Sequence, residues 1–254
     1  MPPQNVELVP ETHFDEWMSQ RYHLLWPELY EESLITATVS FLADLAGAGP
    51  ALEFGIGTGR IALPLSERGV RVEGIELSPA MVEQLRSLPG AADVEVTIGD
   101  FATAKLAGRF SLVYLLRNTI TNLTTQEELV ACVANAAKHL VPGGSFVIEN
   151  NIPEIERLPP GETLHVFVQT PVHLGFEEFD VARQVAVSRH YWLHDGEVRS
   201  FSSPHRYVWP ADLDEMASQA GLRLRERWSD WTRLPFDAES RSHISVWQKA
   251  GGGR

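Results

Sequence analysis

Apolar residues recur along this chain with two alternating periods, one helical and one of strands. Between 29 and 45, Leu34, Ile35, Thr38, Phe41, Leu42 and Leu45 fall at helical spacing, and the run stops at Gly47 and Gly49. The apolar stretch 51–54 breaks into glycines and predicts a short buried strand. A helix over 61–68 is closed by Gly69, and a strand over 70–75 follows with valines two apart. The next helix, 79–88, has Ser78 placed to cap it and Pro79 at its first position, where a missing N–H costs nothing. Further buried strands are expected at 94–98, 112–116 and 145–149. Between the last two lies a helix over 126–140, closed by Pro142-Gly143-Gly144.

Strands spaced by helices of this length imply βαβ units, right-handed crossovers and a mostly parallel sheet. After Asn150 the rhythm changes. The stretches 163–169, 184–193 and 198–208 read as strands, and Asp195-Gly196 between the last two signals a hairpin. A helix over 210–220 ends at Gly221, and strands over 223–231 and 243–249 follow. The organisation expected is one α/β domain, 1–159 and 209–250, carrying an antiparallel insertion at 160–208.

Composition excludes several classes. The 254 residues are 44% hydrophobic and 22% charged, which supports a packed core and argues against extensive disorder. A net charge of -13 repels a nucleic-acid duplex or an anionic membrane. The one cysteine, Cys132, sits in an apolar helical setting that reads as a core thiol rather than a nucleophile. The start, Met1-Pro2-Pro3-Gln4-Asn5, has no basic or apolar leader pattern, and no run of about 18 apolar residues occurs. A soluble, cytoplasmic protein is expected, with Gly251-Gly252-Gly253-Arg254 as a frayed tail.

The informative stretch is Glu53-Phe54-Gly55-Ile56-Gly57-Thr58-Gly59-Arg60. A strand enters this loop and a helix leaves it, so the glycines permit positive φ and close approach of a ligand. A dinucleotide fingerprint requires Gly or Ala at its sixth position, where Arg60 stands here. An acid on the strand itself would repel a pyrophosphate but suits a ligand with an ammonium and a sulfonium. Glu76 ends the next strand, where a carboxylate can accept two ribose hydroxyls, and Asp100-Phe101 ends the third. Three acids at successive strand ends fit the ligand crevice of an open α/β sheet.

On these residues the chain resembles the class I S-adenosylmethionine-dependent methyltransferases, over residues 50–150 and less specifically in the terminal strands. The resemblance implies a Rossmann-like, doubly wound, seven-stranded sheet of order 3-2-1-4-5-7-6 with the seventh strand antiparallel. It implies S-adenosylmethionine as cofactor, with Glu53 near the methionine amino group and Gly55 and Gly57 under the methionine and ribose. Glu76, followed by Leu77, would hold the ribose, and Asp100 with Phe101 the adenine. The segment Leu116-Arg117-Asn118-Thr119 matches the family's border between cofactor and transferred methyl. The insertion resembles the lid of small-molecule methyltransferases, including those of amino sugars in antibiotic pathways. An N-terminal helical segment covers the cofactor in that group; Tyr22 and Tyr30 are its candidates here, with Tyr30 beginning the helix before strand one. Phe14, Trp17 and Trp26 are expected on the apolar underside of that cover.

Methyl transfer from a sulfonium chiefly requires alignment and exclusion of water, and a protonated amine or a hydroxyl acceptor also needs a base. Asn118 and His205 are the catalytic candidates, with His173 a further histidine in the insertion; His139 is expected as a helix C-terminal cap. Arg117 is expected at the cofactor. No metal-ligand spacing and no Gly-x-Ser-x-Gly occurs. Strand four lacks the Asn/Asp-Pro-Pro-aromatic run common in methyltransferases of nucleic-acid bases. The expected partner is a small-molecule substrate with a nitrogen or oxygen acceptor, bound by a monomer or homodimer, without nucleic acid or membrane. A nicotinamide oxidoreductase and a non-catalytic cofactor-binding regulator are the alternatives.

Overall fold

The computed structural model describes residues 14–251; the expected features at residues 1–5 and 252–254 lie outside them. Two helices come first, α1 (Glu16–Leu25) and α2 (Glu32–Ala46), joined through a 3-10 turn at Pro27–Tyr30. Strands and helices then alternate: β1 (Ala51–Phe54), α3 (Ala62–Glu67), β2 (Val72–Glu76), α4 (Pro79–Arg86), β3 (Glu95–Ile98), β4 (Phe110–Leu115), α5 (Gln126–His139) and β5 (Leu140–Asn151). Four antiparallel strands follow, β6 (Leu164–Gln169), β7 (His173–Asp180), β8 (Val185–His194) and β9 (Glu197–Arg206). The chain returns through α6 (Pro210–Gln219), β10 (Leu222–Trp228) and β11 (Ser242–Lys249) to the first sheet.

That sheet runs β3-β2-β1-β4-β5-β11-β10, with β11 antiparallel to both neighbours. This is the order and sense the resemblance implied. One face packs Phe54, Phe146 and Trp247 beneath α5 and α6, and the other packs Ala51, Tyr114 and Val147 beneath α2 and α3. Local signals act as expected at the ends of elements. Ser78 accepts from Met81 N at 3.2 Å to cap α4, and Thr125 with Glu128 forms a reciprocal capping box on α5. Cys132 is fully buried, and that burial pushes its thiol well up, as befits a core residue.

Two local expectations need correction. The insertion has four strands rather than three, because β7 hides its period: Gly175 and the pair Glu177-Glu178 interrupt the apolar alternation. Gly175 is small for a reason, since a Cβ there would lie 2.4 Å from the Phe167 ring. β5 begins at Leu140, so Pro142-Gly143-Gly144 forms an irregularity within the strand, not a separate loop. His139, expected as a cap at the end of α5, bonds that helix from a buried position. Leu106 N donates to its Nε2 at 3.0 Å, so Nδ1 carries the proton and donates to Asn135 O at 2.8 Å. Among the described residues, no helix is long and apolar enough to cross a membrane.

Candidate active site

At the C-terminal ends of β1, β2 and β4 the chain opens into a cavity of about 570 Å³, the size range of a site for one organic ligand. Its floor is the loop after β1. Gly55 and Gly57 take φ of +70° and +54°, and a Cβ on Gly55 would meet Thr119 Cγ2 at 2.6 Å. Glycine is therefore required at position 55 twice over.

Glu53 is 5% exposed and lines this floor. Tyr114 Oη donates to its Oε2 at 2.9 Å. Burial pushes the Glu53 carboxyl up to about 8, against the pull of that hydrogen bond and of the Arg60 guanidinium, with Glu76 adding repulsion. Glu76 is bound on both oxygens: Gly57 N donates to Oε2 at 2.8 Å and Ser78 N to Oε1 at 2.9 Å. Burial raises its carboxyl too, opposed by backbone N–H groups of Ser78, Gly57 and Leu77. Leu77 lies on the wall and is half-exposed. Asp100 also lines the cavity, and it folds its own turn by accepting from Ala102 N at 2.8 Å. Phe101 stacks on Phe54 with centroids 5.8 Å apart, and its carbonyl is held by Asn135.

Arg117 and Asn118, just after β4, take consecutive left-handed conformations, φ 52° and 59°. For non-glycine residues this stores about 1–3 kcal/mol each. The neighbouring strand holds the kink. Glu149 Oε2 accepts from Arg117 N at 2.8 Å, Glu149 O accepts from Asn118 N at 3.2 Å, and Asn151 N donates to Asn118 Oδ1 at 2.7 Å. Asn118 therefore offers a ligand its amide N–H rather than its carbonyl. Thr121 donates its hydroxyl proton to Asn118 O at 2.7 Å, and the same hydroxyl lies 3.4 Å from His205 Nδ1.

Tyr22 lines the cavity, packed against Trp26 at 4.9 Å between centroids. Tyr30 is not on the wall. It ends the 3-10 turn instead of opening α2, and its hydroxyl lies 3.2 Å from Oγ1 of Thr58, a glycine-loop residue on the cavity wall. Phe14 and Trp26, expected underneath, face the cavity instead. Phe14 is pinned there by Ser78 Oγ, which donates to its carbonyl at 2.7 Å, and by the Phe201 ring. Trp17 packs outward of them on Trp192.

Sequence reading missed His190. Cross-strand register puts Ala186, Ser188, His190 and Trp192 on one face of the lid with Phe201, Ser203 and His205, and His190 lines the cavity. Its Nδ1 lies 2.9 Å from His173 Nε2, which places His173 behind the wall. Burial first, then His173 and His205, holds the His190 ring down at about 4, so it stays neutral at pH 7. Alternation in 184–193 carried a signal for it, but only the lid's placement says which face is inward. Among the described residues, no cluster of three or more His, Cys, Asp or Glu can hold a metal ion.

The donor set discriminates among cofactors. Two carboxyls beside the glycine loop, Glu53 and Glu76, offer a pyrophosphate no donors, whereas a cation brought among them would favour their ionised forms and be held by them.

Comparison with known proteins agrees. A family described as a methyltransferase domain matches residues 51–144. The solved structure of the CcbJ methyltransferase from Streptomyces caelestis superposes with a TM-score of 0.85 at 35% identity, covering 96% of this chain and 100% of that one. A cypemycin N-terminal methyltransferase from a Streptomyces species is 26% identical, over 93% of this chain and 97% of its own. The dTDP-3-amino-3,4,6-trideoxy-alpha-D-glucopyranose N,N-dimethyltransferase of Streptomyces venezuelae is 34% identical over 44% of this chain and 49% of its own.

Proposed function

We propose, from the premise that this chain belongs to the class I S-adenosylmethionine-dependent methyltransferases, that it methylates an amine nitrogen of a small molecule. One observation carries the reading: a single cavity has the glycine loop and its acids on one wall and the lid's aromatic and histidine face on the other. The names of the cypemycin N-terminal methyltransferase and the amino-sugar N,N-dimethyltransferase support nitrogen as the acceptor.

When bound, S-adenosylmethionine supplies a methyl carbon on a sulfonium, whose C–S bond breaks with its electron pair going to sulfur. The acids suit the rest of that cofactor. Glu53 would receive its ammonium, Gly55 and Gly57 would lie beneath it, and Glu76 with Leu77 would take the ribose. Asp100 and Phe101 would border the adenine. Tyr22 covers the site, with Phe14 and Trp26 excluding water. Arg117 and the Asn118 amide stand where the acceptor meets the cofactor, held rigid by Glu149 and Asn151. A protonated amine must lose its proton before its lone pair can attack, and His205, on the lid wall of the cavity, is the candidate base.

The test is S-adenosylhomocysteine formation with a panel of free amino sugars and N-terminal dipeptides, each paired with its hydroxyl analogue. Turnover confined to amines is expected. Turnover confined to hydroxyl compounds would sink the nitrogen assignment.

A further inference from the structure

Tyr114 and Glu53 are Cα partners across the parallel β1–β4 register, so their side chains leave the same face of the sheet. Gly74 flanks Glu53 on β2, and Val147 flanks Tyr114 on β5. This row places one carboxylate and one phenol in an otherwise apolar layer. Tyr114 is fully buried. A phenylalanine would fill the same space and bring no polar atom to satisfy. The phenol is explained by what it donates to, Glu53 Oε2 at 2.9 Å.

We propose that Tyr114 is a positioning residue for cofactor binding: its hydroxyl fixes the Glu53 carboxylate and reserves Oε1, as an anion, for the cofactor's ammonium. The inference rests on the reading above that Glu53 receives that ammonium. Three groups face the carboxylate from three elements. Tyr114 on β4 and Arg60 in the glycine loop favour the anion, and Glu76 on β2 opposes it, as does burial. Without the phenol, only Arg60 remains against burial and Glu76, and a neutral carboxyl has little attraction for an ammonium.

Titration calorimetry with S-adenosylhomocysteine, which keeps the ammonium and lacks the sulfonium, separates the possibilities. Tyr114→Phe should bind about tenfold more weakly than wild type near pH 6.5, the deficit shrinking to about threefold near pH 8.5 as base restores the anion. A deficit equal at both values, or none, overturns the proposal. Glu53→Gln binding like wild type would remove the premise instead, so the two failures are distinguishable. Should Tyr114→Phe not fold, the 13Cζ resonance of Tyr114 in the wild type serves. It should titrate together with Glu53 and lose that step in Glu53→Gln, and a flat signal counts against the proposal.

Discussion

Gly57 N donates to Glu76 Oε2 at 2.8 Å, so the glycine loop and the end of β2 move as one unit. The other oxygen of the same carboxylate takes Ser78 N, whose side chain caps α4 and holds the Phe14 carbonyl. One acid thus ties the loop, a helix start and the N-terminal cover together.

Glu76→Ala should therefore cost more than one ligand contact. Hydrogen bonds to a charged group contribute about 1.5–3 kcal/mol each, so S-adenosylhomocysteine binding should weaken by roughly ten- to a hundredfold. Calorimetry reads the loss directly. Unchanged affinity in a folded variant would show that the loop needs no anchor and the ligand no acid there.

How much of this was legible beforehand follows from how far each feature reaches along the chain. Glu53, Gly55, Gly57, Glu76 and Asp100 could be picked out because each sits where a strand meets its own loop, and local pattern marks strand ends. The alternation announced a mostly parallel sheet, and its strand order followed from the resemblance. Phe14, Trp26 and His190 could not be assigned to the cavity this way. Their exposure depends on α1 and the lid meeting across some 170 residues of intervening chain (Trp17 packs on Trp192), and no period in the sequence encodes that contact. Tyr30 was expected to open α2, but Pro27 starts a 3-10 segment that ends on it, two residues before the helix begins.

Cofactor affinity should rise with pH. Burial pushes the Glu53 carboxyl up to about 8, so at neutral pH it is mostly protonated, and a bound ammonium must displace that proton. Binding near pH 7 should release protons, seen as a calorimetric enthalpy that varies with buffer ionisation heat. The same shift bears on stability. A carboxyl raised from 4.5 to about 8 on folding binds more protons folded than unfolded, so its contribution is full below 4.5 and lost as pH rises through 8. Ligand-free Glu53→Gln should thus gain melting temperature over wild type at pH 8.5 more than at pH 5. The opposite order would contradict the assignment.

Gly55→Ala meets two separate penalties, a φ of +70° and a Cβ placed 2.6 Å from Thr119 Cγ2. The conformational part alone is of order 1 kcal/mol. Thr119→Ser removes only the clashing methyl, so the double variant should recover part of the lost melting temperature. Additive losses in the double-variant cycle would show that the methyl is not what the alanine strikes.

Acid should destabilise this protein through two histidines that it keeps neutral. Burial holds His190 at about 4, with His173 and His205 adding to the effect, and burial followed by Arg227 holds His243 at about 3. Both lie below the unperturbed 6.5, so the folded state binds fewer protons than the unfolded chain between those limits. The stability they contribute is complete above 6.5 and is lost as pH falls toward 4 and then 3. His190 is the better place to test this, because His190→Phe keeps a ring among Trp26, Phe167 and Phe201, and half-exposed His173 can turn to water. The drop in melting temperature between pH 7 and pH 4.5 should be smaller in His190→Phe than in wild type. An identical drop would mean that His190 charges as readily folded as unfolded, and that the lid's inner face admits water where it contacts the cavity.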